Sequence, residues 1–417
     1  SVNDPDSNRN SSKVKRSVDD LSNEELMGKR VLVRCDFNVP LLGGNITDNT
    51  RIRASLPTIQ HLISRGAKVV LCSHLGNPLG KGYEAEYSLL PVTTELSTLL
   101  NKTIIQVSDC IGNTVESTVN AMQPGDVVML ENLRFHKGEV QNDAEFAKNL
   151  SQFADLYVND AFGSAHRAHA STEGVAQLLS PAVSGKLLQK ELSYLQNITE
   201  SPGRPFAAVL GGSKVSSKMT AIEALLGKVD KLVLGGDMVF TFLKARGMDV
   251  GASVVDDAQV DLARHLDSLA TERGVQLVLA SDVVVADQFA ANATHQIVNA
   301  TAIPAGWQCM DIGPQSITAI HAALADCRTV LWNGPMGVSE FDAFAQGTTA
   351  IATTLAELTA TGCVTIVGGG DTVAALERAG LTQNITHIST GGGAMLELLE
   401  DKILPGIAVL DDKTSTL

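Results

Sequence analysis

A run of β-branched residues that breaks into three glycines and an aspartate limits this chain more than any other stretch. Val364-Thr365-Ile366-Val367 lacks polar alternation, which is how a parallel strand covered on both faces reads. Gly368-Gly369-Gly370 then takes every Cβ out of the turn, so another group can come close to the backbone. Asp371 or Thr372 can cap the helix expected over 373–377. Such a turn aims bare N–H groups and a positive helix end at one spot, which suits phosphate. It is also an ordinary strand-to-helix connection, so the rest of the chain has to decide.

The second half repeats the pattern. Strands expected at 206–210, 231–234, 329–332 and 387–390 run into Gly211-Gly212-Ser213-Lys214, Gly235-Gly236-Asp237, Asn333-Gly334-Pro335 and Gly391-Gly392-Gly393. Together these describe a phosphate-cradling surface. Lys214 and Lys218, four residues apart, are expected on one helix face beside it, although a lysine at either place could simply be solvated. There is no G-x-x-x-x-G-K-[ST] and no G-x-G-x-x-G, which removes a P-loop and weakens a standard dinucleotide fold.

In the first half, strands end in charge instead. Expected strands at 30–34, 68–73, 126–130 and 156–159 alternate with helices such as 53–65 and 143–154. Ligands of open α/β sheets bind beyond the carboxyl ends of strands. Those ends carry Asp36, Asn38, His74, Arg134, His166, Arg167 and His169, with Arg51 on a nearby turn. Arginine grips carboxylate or phosphate with a planar fork, so the set reads as an anion pocket, though each arginine alone could pair with a surface acid. His166 and His169 could serve only to orient Arg167. No Ser/His/Asp order, H-E-x-x-H or paired-carboxylate motif supports hydrolysis.

At 417 residues two domains are expected, with the helix predicted over 184–199 as the bridge and Glu200-Ser201-Pro202-Gly203-Arg204-Pro205 as the break after it. The net charge of -14 argues against a general nucleic-acid or acidic-membrane surface. No stretch has the roughly 20 apolar residues that cross a bilayer, and 1–20 lacks the apolar core of a signal peptide. That segment reads as a flexible extension or a cloning remnant. The six cysteines form no C-x-x-C pair, which points to a reducing, cytoplasmic setting. The residues thus imply two α/β domains, one for a small anion and one for a nucleotide, with phosphoryl transfer between them.

From about Ser22 onward the chain resembles the phosphoglycerate kinases. Val33-Arg34-Cys35-Asp36-Phe37-Asn38-Val39-Pro40, Ser73-His74-Leu75-Gly76, Glu131-Asn132-Leu133-Arg134-Phe135 and Asp160-Ala161-Phe162-Gly163 match that family in order. So do Gly211-Gly212-Ser213-Lys214-Val215, Trp332-Asn333-Gly334-Pro335, Gly368-Gly369-Gly370-Asp371-Thr372 and Ser389-Thr390-Gly391-Gly392-Gly393. The resemblance implies an α/β fold of two Rossmann-like three-layer domains with parallel sheets, joined by a hinge helix. It puts the phosphoglycerate domain at 21–185 plus 401–417 and the nucleotide domain at 186–400. It implies a monomer that moves a phosphoryl group between MgATP and the carboxylate of 3-phosphoglycerate, with closure about the joining helix.

By the same resemblance, Asp36, Phe37, Asn38, Arg51, His74, Leu75, Gly76, Asn77, Arg134 and Arg167 bind phosphoglycerate. Arg51, Lys214, Gly369, Gly392 and Gly393 meet the transferring group. Gly212, Lys218, Gly235, Gly236, Asn333, Pro335, Glu340, Gly369, Gly370, Asp371 and Thr372 bind nucleotide, with Asp371 on Mg²⁺ and Glu340 on the ribose. Three positions depart from the family: Asn77 where arginine is usual, Asp237 where a third glycine is common, and Ser339 where an aromatic is common. A nicotinamide-dependent dehydrogenase or an inactive ligand-binding relative would share the architecture. The first lacks its glycine fingerprint here.

Overall fold

A computed structural model describes residues 14–414. Internal packing divides the chain into two units. The first runs to Ser193 and takes in the chain from Asp401 on; the second is Tyr194–Glu400. The helix Lys186–Glu200 carries the chain from one to the other.

The first unit is built on six parallel strands in the order Ile105–Gln106, Val127–Met129, Lys68–Cys72, Arg30–Arg34, Leu156–Asn159 and Ala182–Ser184. Central strands such as Arg-Val-Leu-Val-Arg and Leu-Tyr-Val-Asn are almost wholly buried, as expected when helices cover both faces. Arg34 lies level with Cys72 on one side and Asn159 on the other. The segments that leave these strands therefore emerge at one edge.

The second unit has its own six parallel strands, ordered Gln276–Val278, Lys231–Leu234, Phe206–Leu210, Thr329–Asn333, Val364–Gly368 and His387–Ile388. Asn333 is level with Leu210 and with Gly368, so the glycine turns share an edge as well. Its core gathers Trp332, Phe240, Leu355 and Val367 around the sheet.

Two departures from the sequence reading concern architecture. An antiparallel sheet of His295–Asn299, Asp282–Ala286 and Gln308–Ile312 interrupts the βα alternation of the second unit. Its outer strand His-Gln-Ile-Val-Asn is largely exposed, so it carries little of the apolar signal that marks a strand.

The flexible extension expected over 1–20 is the other departure. Residues 1–13 lie outside the described residues, but the chain from Lys15 to Val18 is packed. Ser17 and Asp20 cap a short 3-10 turn reciprocally, Val18 is fully buried, and Lys15 Nζ donates to Leu410 O at 3.0 Å and Asp412 Oδ1 at 2.9 Å. The pairing partner lies almost four hundred residues away, beyond the reach of local composition.

Candidate active site

At the strand ends of the first unit, the groups that face outward are held by others that are buried. Arg34, the last residue of its strand, is fully buried with a carboxylate for company: Glu139 Oε2 is 4.0 Å away and equally buried. Ser171 joins them, accepting from Arg34 Nε at 2.8 Å and donating through Oγ to Glu139 at 2.6 Å. A buried charge is costly unless paired, so this network fixes the guanidinium.

Arg34 then faces His74 Nδ1 at 2.8 Å. Because a guanidinium only donates, Nδ1 must accept, and the proton of neutral His74 sits on Nε2. Burial first, then Arg34, Arg134, His169 and Arg51, hold the His74 pKa well below the usual imidazole value. His74 is thus a hydrogen-bond donor and no proton acceptor at neutral pH.

The other first-half residues collect around it. Arg51 donates to Asn38 O at 2.6 Å and lies 3.6 Å from Asp36. Asn38 Oδ1 takes the Gly76 N–H at 2.8 Å. Gly76 has φ +61, and a Cβ there would lie 2.5 Å from the Tyr87 ring, so only glycine fits. Arg134 donates to Gly76 O at 3.2 Å and to Asn77 Oδ1 at 2.7 Å, while its buried Nε finds no partner among the described residues. The Arg167 guanidinium is exposed and meets no acceptor among the described residues. Its charge, with that of Arg134, helps burial pull His169 down to about 4. Phe37 and Leu75 point the other way, into the core, and can offer a ligand only their backbone. Arg34 and Glu139 were given no role from sequence, although a charged residue closing an apolar strand was a visible signal.

In the second unit a cavity of about 310 Å³ opens beside the glycine turns. Gly212, Gly236, Pro335, Glu340 and Asp371 line it, and so do Asp237, Val254, Phe289, Met310, Met336 and Val338. The apolar wall was missed in the sequence because part of it comes from the unforeseen strand Gln308–Ile312.

The glycines divide into two kinds. Gly211 and Gly334 pack on each other, and a Cβ on Gly334 would sit 2.3 Å from Gly211 O. Gly235 and Gly368 pack on Met336 and Met395. These four hold the turns together; Gly212 faces the cavity, and Gly236 does both, since a Cβ there would lie 2.1 Å from Gly212 O. Gly392, with φ +50, starts the short helix Gly393–Leu399.

The helix after the triple glycine is Gly370–Arg378, capped by Gly369 with no side-chain bond. Neither Asp371 nor Thr372 serves as the cap considered from sequence, because both already lie in its first turn. Thr372 is buried and accepts the Gly334 N–H at 2.8 Å, bracing the neighbouring turn. Asp371 is exposed, and its carboxylate has no partner among the described residues.

Lys214 and Lys218 do not share a helical face. Lys214 precedes the helix Val215–Leu226 and is exposed, while Lys218 is inside it and donates to Asn333 Oδ1. Burial pulls the Lys218 ammonium down to about 8. Ser339 is buried and accepts from Arg378 at 3.2 Å.

Known proteins similar to this chain in sequence and fold agree with one another. The phosphoglycerate kinase profile matches residues 18–402. A phosphoglycerate kinase of Prochlorococcus marinus is 60% identical over 96% of this chain and 100% of its own. The chloroplastic phosphoglycerate kinase of Volvox carteri is 58% identical over 96% of this chain and 87% of its own. The solved phosphoglycerate kinase of Coxiella burnetii superposes with a TM-score of 0.84 at 42% identity, over 95% of this chain and 98% of that one. The chain therefore belongs to the phosphoglycerate kinase family, and its activity is the reversible transfer of a phosphoryl group between ATP and the carboxylate of 3-phosphoglycerate.

Proposed function

We propose that the arginine and histidine cluster of the first unit holds 3-phosphoglycerate and that the glycine-lined cavity of the second holds the nucleotide. The observation that carries this reading is that each bears charge left unspent by the protein. Among the described residues, Arg134 Nε and the Arg167 guanidinium have no acceptor, and Asp371 has no donor. The buried Arg134 Nε is costly to keep without a partner, and an anionic ligand relieves that cost, while Arg167 and Asp371 stand exposed and free to meet a ligand of opposite charge.

On the acceptor side, Arg134, Arg167 and the Nε2–H of His74 bind the anionic substrate, with Asp36 and Asn38 fixing Arg51. A carboxylate is already ionised at pH 7, so its oxygen attacks the γ-phosphorus without a general base. That agrees with a His74 whose acceptor nitrogen is occupied by Arg34. As the new oxygen–phosphorus bond forms, the bond to the bridging oxygen breaks and ADP leaves. The protein must then neutralise charge on the moving group, which we assign to Arg51 and Lys214 with the amides of Gly369, Gly392 and Gly393.

On the donor side, the apolar wall takes the base, Glu340 the ribose, and Lys218 with the Gly212 turn the phosphates. An anionic phosphate beside Lys218 would restore the proton that burial loosens. Asp371 suits Mg²⁺, which prefers hard oxygen ligands and keeps phosphate and water in its shell. When bound, the ion would draw negative charge from the phosphate oxygens. We further read the protein as a monomer of the cytoplasm; similar chloroplastic proteins leave an organelle as the second reading.

The test is the forward reaction with ATP and 3-phosphoglycerate. Lys214→Ala and Arg51→Ala should each lower kcat by about 100-fold or more, the scale of removing one charge-stabilising donor, with unchanged far-UV circular dichroism. Retention of full kcat in both would overturn the assignment.

A further inference from the structure

Among the described residues, one group of cysteine, histidine and carboxylate side chains gathers closely enough to hold a metal ion, and the phosphoryl transfer does not use it. Asp109 and Cys110 lie in the loop that follows the edge strand Ile105–Gln106. His136 comes from the segment that leaves the neighbouring strand Val127–Met129, directly after the turn Leu133–Phe135. One ligating atom from each residue lies within 4.8 Å of the other two.

The backbone holds the three in place. Asp109 O accepts the Glu131 N–H at 3.3 Å, which ties the two segments together. Asp109 Oδ1 takes the Cys110 N–H at 2.7 Å and meets His136 Nε2 at 2.7 Å. An ionised carboxylate only accepts, so His136 donates from Nε2. The His136 ring rests against Phe146, with centroids 5.4 Å apart. Cys110 is fully buried, whereas the side chains of His136 and Asp109 are 30% and 45% exposed. The thiol is thus the floor of a shallow site, with an imidazole and a carboxylate as its rim.

The donor set selects the ion. Mg²⁺ and Ca²⁺ require oxygen ligands, whereas thiolate, imidazole and carboxylate together are the ligands of Zn²⁺. Tetrahedral zinc ligands stand about 3.5 Å apart, so these atoms need to move by no more than about 1 Å each. Three protein ligands leave the fourth, solvent-facing position to water. We propose that Asp109, Cys110 and His136 form a binding site for one Zn²⁺ ion on the first unit. On binding, the Cys110 thiol releases its proton to solvent and the His136 ring proton moves from Nε2 to Nδ1. Sulfur, Nε2 and a carboxylate oxygen then each donate a lone pair to the metal. The ion staples the loop after the edge strand to the segment that carries Arg134.

The experiment titrates Co²⁺, which takes zinc's geometry and absorbs visible light, into the metal-free full chain with Mg²⁺ in excess. A thiolate-to-cobalt charge-transfer band should saturate at one ion per chain, and an equivalent of Zn²⁺ should abolish it. His136→Gln and Asp109→Asn, both at half-exposed side chains, should weaken binding by at least the roughly 10–100-fold that loss of a mere supporting group costs a metal site. Cys110→Ser should remove the band. Because Cys110 is buried, the other two variants decide the matter if that one does not fold by circular dichroism. No band in the natural chain, a band that survives in folded Cys110→Ser, or affinity unchanged within twofold in His136→Gln and Asp109→Asn would overturn the proposal. Cys309 is the one cysteine that is not fully buried, so Cys309→Ser is the control. Loss of the band in that variant would put the ion elsewhere and overturn the assignment as well.

Discussion

In the first unit the proposed ligand surface consists of long side chains, Arg51, Arg134, Arg167 and His74, whereas in the second it combines bare backbone at Gly212 and Gly236 with the carboxylates of Asp237, Glu340 and Asp371. The two solutions depend on different supports. A side-chain site needs something buried to aim it, here the Arg34, Glu139 and Ser171 network behind His74. A backbone site needs its turns pressed together, here Gly211 on Gly334 with Thr372 bracing the latter. Damage should therefore take different forms: the first site can be disarmed by substituting an outward-facing residue, while the second fails through loss of packing.

The largest effect should come from the buried support of the first site. Glu139→Ala leaves Arg34 charged, buried and unpaired, and should cost about 3–5 kcal/mol of that unit's stability. Both tryptophans, Trp307 and Trp332, belong to the second unit, so their fluorescence follows that unit by itself. Urea unfolding followed by circular dichroism should show an early transition that tryptophan emission does not share. If the emission moves just as far, the two supports are not separate.

Gly334→Ala is the counterpart. With φ +101 and a Cβ 2.3 Å from Gly211 O, it should destabilise the second unit by about 2–4 kcal/mol, and here the tryptophan transition should move. An unchanged transition would mean that the turn can relax and that the close approach is dispensable.

Asn77→Arg tests the side-chain site by addition. Arg134 already spends a donor on Asn77 Oδ1, so the change frees that donor and adds a charge. The KM for 3-phosphoglycerate should fall by an amount worth about 1–3 kcal/mol, with KM for ATP unmoved. An unchanged phosphoglycerate KM would show that Asn77 costs the pocket nothing.

The smallest effect is acid sensitivity. Folding lowers the His169 pKa from its ordinary 6.5 to about 4, by burial and the nearby arginines, so the folded form favours the neutral ring. Its contribution is present above about pH 6.5 and is lost as pH falls toward 4. His169→Gln should flatten the fall in urea midpoint over that window; an identical slope would remove the histidine from the account.

Much of this was readable in the chain. Apolar β-branched runs marked the central strands of both sheets, and their terminators marked the carboxyl ends where ligands gather, because both signals are local. The ordered motifs from Val33 to Gly393 carried the family. The failures follow from the same locality. Thr372 looked like a cap but braces Gly334, thirty-eight residues back in the chain. Lys214 and Lys218 looked like helical neighbours until the helix began one residue after Lys214.

By itself the sequence determined the parallel α/β layout, the contrast between charged and glycine-ended strands, and membership of the family. Tertiary structure decided which glycines line the cavity and which are held only by packing. It also decided that His74 donates from Nε2, that the chain from Lys15 to Val18 is anchored, and that a strand at Gln308–Ile312 supplies a cavity wall. Strand propensity and turn chemistry act over a few residues, whereas burial, tautomer and cavity lining arise from groups brought together across the whole chain.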